Sequence, residues 1–157
     1  MQLTSSAFEQ GGEIPGSFTS EGANVSPELS WKDAPAQTKS FALIMHDPDA
    51  PMPGGFTHWL VYNISPDTGH VEENVPQEEE VRGLGMQGKN DGGKIGYIGP
   101  APPSGTHRYF FRLCALDTML NVGAGANHKE ITAATRGHVL AQAELMGTYE
   151  NKSQRAA

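Results

Sequence analysis

Thr106-His107-Arg108-Tyr109-Phe110-Phe111-Arg112-Leu113-Cys114-Ala115-Leu116 reads as one long β-strand, and that reading decides the fold. Alternate residues of a strand share a face, so His107 and Tyr109 continue the apolar row Phe111, Leu113 and Ala115. Two polar, reactive side chains thus stand at the rim of a core-facing row. The pattern recurs twice upstream. Phe41, Leu43 and Met45 lead into Asp47, in an apolar run from Ser40 to His46 that reads as a central strand. A third strand is expected from Thr57 to Ile64, with His58 opening the row Leu60, Tyr62 and Ile64. If these strand ends meet, they build one small pocket lined by a carboxylate, two imidazoles and a phenol.

The rest of the chain bounds what such a pocket can serve. Its 157 residues make one ordinary domain, taken as residues 1–150 with a tail at 151–157. Nineteen glycines and eleven prolines beside short apolar runs favour a mainly β protein over a helical bundle. A net charge of −7 argues against nucleic acid or an anionic membrane as partner, since both demand a basic surface. Cys114 is the only cysteine, so an internal disulfide is excluded; it points opposite to His107 and Tyr109 and reads as a buried, inert thiol. The N-terminus shows no basic, apolar leader and no stretch is long enough to span a bilayer, so a cytoplasmic location is expected. The Asn-x-Ser triplets at Asn24, Asn63 and Asn151 are then chance matches.

The acidic clusters Glu72-Glu73 and Glu78-Glu79-Glu80 read as a solvated loop, and the glycine-rich stretch from Gly83 to Gly99 as an irregular binding loop. Within it, Gly88-Lys89-Asn90-Asp91-Gly92-Gly93-Lys94 mimics a phosphate-binding loop. It fails on Ile95, where a hydroxyl belongs, and on the helix that Gly96, Gly99 and Pro100 forbid. Asn127 followed by Glu130 imitates a capping box, and Ile131, Ala134, His138, Ala141 and Leu145 follow at helical spacing. His138 reads as a hydrogen-bonded packing residue on that stripe.

Three motifs in order carry a resemblance: Asp47-Pro48-Asp49-Ala50-Pro51, His58-Trp59-Leu60-Val61, and Gly99-Pro100-Ala101-Pro102-Pro103-Ser104-Gly105-Thr106-His107-Arg108-Tyr109 with Phe111. Together with Asn24 to Trp31 they resemble the phosphatidylethanolamine-binding protein family, which includes the Raf kinase inhibitor proteins, in its compact bacterial and archaeal branch. The resemblance implies a β-sandwich of antiparallel and mixed sheets, one helix near the C-terminus at about 128–139, and a short final strand over Ala141 to Gly147. It implies an anion-binding pocket and no reaction. It also implies a cis peptide at Ala50–Pro51, and homodimerisation from bacterial relatives. No counterpart of the longer eukaryotic relatives' extra C-terminal helical segment is expected here.

The anion-binding residues expected are Asp47, Asp49, His58, Ala101, Pro102, His107 and Tyr109. The imidazoles supply donors and, when protonated, charge; Tyr109 adds a neutral hydroxyl. Backbone donors come from Ala101 or Gly99, because Pro102 and Pro103 have none and instead stiffen the loop. Asp47 could orient an imidazole or receive a ligand's ammonium, and Asp49 could cap its own loop. Two histidines and Asp47 lack the tight pair spacing of a metal site, so neither metal nor cofactor is expected. A hydrolase would need a nucleophile beside His58 or His107; Ser104 is near His107 but sits in no nucleophile elbow. The function expected is non-catalytic binding of a small phosphorylated or carboxylated ligand, with affinity falling between about pH 5.5 and 8. The alternative is a kinase or serine protease inhibitor acting through a surface loop.

Overall fold

The computed structural model describes residues 1–151; residues 152–157, the rest of the expected tail, lie outside the described residues. In chain order the strands are β1 (Gln2–Thr4), β2 (Leu29–Lys32), β3 (Ser40–Asp47), β4 (Phe56–Ile64), β5 (His70–Val71), β6 (Glu80–Val81), β7 (Gly85–Gln87) and β8 (Thr106–Leu116). Helix α1 (His128–Thr135) and strand β9 (Val139–Glu150) follow. The three long strands read from the sequence are neighbours in a six-stranded sheet of order β6-β7-β4-β3-β8-β9. A three-stranded sheet, β1-β2-β5, faces it.

The core fills the space between the two sheets. Phe41, Leu43 and Met45 of β3 and Phe111 and Leu113 of β8 meet Leu3, Leu29, Trp31 and Val71 of the small sheet, as alternation predicts. A second apolar layer, including Ala42, Cys114, Leu116 and Ile131, covers the outer face of the large sheet beneath α1. Cys114 is buried there, and burial pushes its thiol up.

β4 departs from the sequence reading. Met45 pairs with Trp59 and His46 pairs with Thr57, so His58 is an extra residue with no partner on β3. This β-bulge puts His58 and Trp59 on the same side of the sheet. Trp59 and Val61 therefore join the inter-sheet core, while Leu60 and Tyr62 face α1. His58 does not share a face with Leu60 and Tyr62, as strict alternation required. A second register shift returns Ile64 to the inter-sheet side, with Asn63 in a left-handed conformation (φ 54°).

Several further expectations are corrected. The named strands pair antiparallel throughout; among the described residues parallel geometry is confined to the isolated bridge Glu13–Thr148, so the sheets are not mixed. That bridge belongs to a strap, in which the Gly11 N–H donates to Met146 O at 2.7 Å and the Ile14 N–H to Thr148 O at 2.8 Å. It covers part of the β9 edge that would otherwise be open. The capping box forms, Glu130 N–H donating to Asn127 Oδ1 at 2.9 Å, but α1 ends at Thr135, short of residue 139. Gly137 (φ 79°) turns the chain there, and β9 runs for 12 residues rather than a short segment. His138 thus lies off the helix, half exposed, with Nδ1 on Asp117 Oδ1 at 2.7 Å. The Gly83–Gly99 stretch is less irregular than expected: it holds β7 and a Lys89–Ile95 bridge. Among the described residues, no helix is long and apolar enough to cross a membrane.

Candidate functional site

Each strand end delivers one part of a cavity of about 270 Å³. β3 ends on Asp47, the β4 bulge turns in His58, and β8 opens with His107 and Tyr109. The chain from Ile98 to Pro103 closes the remaining side, with Ala50, Pro51 and Met52 at the lip. Of the residues expected from the sequence, Asp47, His58, Ala101, Pro102, His107 and Tyr109 line this one cavity.

Asp49 does not line it. Its carboxylate accepts from Arg108 Nε and Nη2, each at 2.9 Å, and from the Arg108 backbone N–H at 2.9 Å. These bonds hold its carboxyl down to about 2. A carboxyl lowered in this way stabilises the fold above its unfolded value near 3.9, and that contribution is lost as pH falls toward about 2. The pair is partly exposed, so the effect is small. Denaturation midpoints of the wild type and Asp49→Asn, apart at pH 7, should converge between about pH 4 and 2. Midpoints that stay equally far apart would show that the pair does not act through charge.

The imidazoles are held by their Nδ1 edges. His107 Nδ1–H donates to Asp47 Oδ2 at 2.6 Å, with both side chains buried. His58 Nδ1–H donates to Ile98 O at 2.7 Å, and the Ile98 N–H returns a bond to His58 O at 3.1 Å. Carbonyl and carboxylate oxygens accept, so the hydrogen sits on Nδ1 and each Nε2 is left for a ligand. Burial pushes His58 below the ordinary histidine value, outweighing the Ile98 carbonyl and Asp47, which pull it up. Its neutral Nε2 is therefore a lone pair.

Tyr109 stands between them, its ring 5.3 Å from that of His58 and 6.4 Å from that of His107. Burial first, then the Asp47 and Asp49 carboxylates, push its phenol up, so it stays a neutral donor. Its ring and hydroxyl are fully buried and the hydroxyl has no hydrogen-bond partner, while the Ala101 backbone N–H works against the upward shift without reversing it. Among the described residues only Trp31 Nε1 shares that condition.

Asp47 is placed for the first of its two expected roles, orienting an imidazole. Oδ1 accepts the Asp49 N–H at 2.7 Å and Oδ2 holds His107, so both oxygens are engaged. The Asp47–Pro51 turn is trans at Ala50–Pro51, against the expectation; among the described residues no peptide bond is cis. Left-handed Gly54 and Gly55 bring the chain back instead. A Cβ at Gly55 would collide with the Asp47 carbonyl, so only glycine fits.

Distant residues pin the cavity wall. Asn24 Oδ1 accepts the Gly99 N–H at 2.7 Å, which removes Gly99 as a ligand donor and leaves Ala101. The Gln77 side chain brackets Tyr97 through N–H and C=O, and Tyr97 OH donates to Phe18 O at 2.6 Å. The nucleotide mimic folds as a small hairpin stapled by buried Asn90, whose Oδ1 accepts the Gly92 N–H at 2.9 Å. Gln77 and Asn90 carry no local signal beyond being turn-prone or polar, and Asn24 entered only as an Asn-x-Ser match and as the first residue of a stretch that carries the resemblance. Among the described residues lining the cavity there is no Ser, Cys or Lys, so Ser104 is not beside His107 in it.

The chain is similar to known proteins over nearly its whole length. A family model, "Phosphatidylethanolamine-binding protein", matches residues 4–150. A UPF0098 protein of Methanothermobacter thermautotrophicus is 50% identical over 149 residues, covering 95% of this chain and 98% of that one. A UPF0098 protein of Aquifex aeolicus is 46% identical, covering 96% and 88%. Among solved structures, a phosphatidylethanolamine-binding protein homologue from Chlamydia trachomatis superposes with a TM-score of 0.87 at 42% identity, covering 96% of this chain and 97% of that one. Escherichia coli YbcL, described as a new member of the mammalian family, also gives 0.87, at 31% identity and 96% and 98% coverage. With bacterial and archaeal relatives over nearly its whole length, the chain belongs to the phosphatidylethanolamine-binding protein family.

Proposed function

We propose that this protein is a non-catalytic binder of a small phosphorylated or carboxylated molecule. His58 and His107 hold the oxyanion through Nε2, Tyr109 and the Ala101 N–H add neutral donors, Pro102 shapes the wall, and Asp47 positions His107. The reading is carried by the Tyr109 hydroxyl. A buried hydroxyl without a partner costs about 1–3 kcal/mol, a cost that a ligand oxygen would relieve. Both free Nε2 edges belong to rings in contact with it or stacked on it. The apolar rim of Pro51, Met52 and Phe56 lowers the local dielectric, which strengthens each polar contact to a bound anion.

The family's name points to a phosphoethanolamine head group. Asp47 is the acidic residue lining the cavity; each of its oxygens accepts one bond, and a carboxylate has about four acceptor sites, so it keeps room to meet the ammonium while the imidazoles hold the phosphate. A His–Asp pair is also acid–base equipment, but the lining offers no Ser, Cys or Lys to activate. Inhibition of a kinase or protease through a surface loop would survive His107→Ala, whereas ligand-gated inhibition would be lost.

The test is sulfate affinity by calorimetry across pH, sulfate having no ionisation of its own in the range. A bound anion favours imidazolium, so binding takes up a proton wherever His58 is neutral beforehand. Affinity should rise as pH falls and level off once His58 is charged in the free protein. Because burial lowers His58, its part of the rise extends to the acid side of the window for an exposed histidine. A flat profile would sink the role given to imidazolium.

A further inference from the structure

β3 and β4 carry a second set of polar groups on the opposite face of the large sheet, one residue before Asp47 and His58 respectively. His46 Nδ1 lies 2.9 Å from Thr57 Oγ1, and Thr57 Oγ1 lies 2.6 Å from Nδ1 of His128, the first residue of α1. His46 Nε2 is 2.8 Å from Gly54 O. The hydrogens of this chain follow from the partners. Gly54 O can only accept, so His46 Nε2 holds a hydrogen, and in the neutral form of the ring Nδ1 is a lone pair. The Thr57 hydroxyl donates to that lone pair, and its oxygen accepts from His128 Nδ1–H. His128 Nε2 is left as a lone pair. One added proton reverses this. If His128 takes it, Nε2 becomes N–H directly; if His46 takes it, the Thr57 hydroxyl turns round and His128 shifts to the Nε2–H tautomer.

His46 and His128 line a cavity of about 380 Å³ between the sheet and α1. Arg112 of β8 lies on the same wall, two pairs along the β3–β8 ladder from the His46–Phe110 pair. Its Nε and Nη2 both bond Glu144 Oε2, at 3.3 and 2.8 Å, which leaves Nη1 over. Ile44, Phe110 and Val139 supply an apolar wall. The charged and titratable groups around His128 are His46, Arg112, Glu144, Cys114 and Asp91, the last holding the Thr57 N–H at 2.7 Å.

We propose that this cavity is a second ligand site, for a small amphipathic carboxylate. Its carboxylate sits between His128 Nε2 and the Arg112 guanidinium, and its hydrocarbon part lies on Ile44, Phe110 and Val139. Two donor groups match a two-oxygen monoanion, while Glu144 on the same rim disfavours a dianion. The lone pair at His128 Nε2 becomes a donor only when the histidine pair takes up a proton, so binding is proton-linked. Burial, and then His46, lower His128, which moves that uptake to the acid side of an ordinary histidine. The inference is independent of the function proposed for the first cavity.

Sodium hexanoate is the probe, followed by NMR of isotopically labelled protein. Before ligand is added, the imidazole nitrogen signals at pH 8 should show His46 protonated at Nε2 and His128 at Nδ1. Hexanoate should then shift Ile44, Phe110, Arg112 and His128, and bind about fivefold or more tightly at pH 6 than at pH 8. Acetate, which lacks the hydrocarbon, and hexanol, which lacks the charge, should each bind about tenfold or more weakly. His128→Ala and Arg112→Gln should each weaken hexanoate about fivefold or more; Arg112 is half exposed, so its variant keeps the test open if His128→Ala does not fold. Shifts confined to His58, His107 and Tyr109, equal binding of acetate or hexanol, affinity unchanged by Arg112→Gln, or no binding at all would each overturn the proposal.

Discussion

Sulfate affinity should fall about a hundredfold in His107→Ala. The variant loses a donor to a charged oxygen, worth about 1.5–3 kcal/mol, and each 1.4 kcal/mol is tenfold in binding. It also leaves the Asp47 carboxylate, only 2% exposed, facing the ligand without its imidazole. Tyr109→Phe should behave differently. It removes one neutral donor, so affinity should drop about three- to tenfold. Yet it also removes an unpartnered buried hydroxyl, so the thermal midpoint should stay or rise. A residue serving only packing would not weaken binding while sparing stability. Calorimetry with thermal melts on both variants checks the pair, and wild-type affinity in His107→Ala would end the proposal.

Gln87→Ala should cost about 2–4 kcal/mol of unfolding free energy. Gln87 is fully buried, and its side chain serves three partners. Trp59 Nε1–H donates to Oε1 at 2.7 Å, and Nε2 donates to Pro76 O at 2.7 Å and Glu78 O at 2.9 Å. Truncation strands the fully buried Trp59 N–H and opens a cavity beside its ring, while water can reach the two carbonyls in part. For a chain of this size the melting point should drop on the order of 10 °C. Gln87→Leu refills the volume without restoring any bond, so it should recover only the cavity share. A loss below about 1 kcal/mol in Gln87→Ala would show the network to be incidental.

The fold was legible where local rules act alone. β3 and β8 alternate without interruption over their core-facing rows, so their faces, and the placing of Asp47, His107 and Tyr109, follow from period two. The capping box was legible for the same reason: Asn127 and Glu130 are each other's partners. β4 was not, because every residue from Thr57 to Tyr62 is buried on one face or the other, so no exposed residue marks the bulge. His58 was still nominated, through the resemblance and a face it does not share. Asp49 failed for lack of a visible partner: Arg108 is 59 residues away in sequence. Gln87, Asn24 and Gln77 act through equally remote bonds and look like ordinary surface polars in the sequence. The second cavity was hidden too, since His46, Thr57 and His128 come from three separate elements.

The bulge at His58 has a further meaning for how such a site could come and go. Thr57 opposite His46 and Trp59 opposite Met45 would be consecutive rungs of a regular ladder if the residue between them were excised. Thr57 would still face α1 and Trp59 would still face the core. One lost codon would thus silence the first cavity while sparing the sheet, and one gained codon could install a histidine there. In this scaffold, the unit of functional innovation at β4 is a single inserted amino acid.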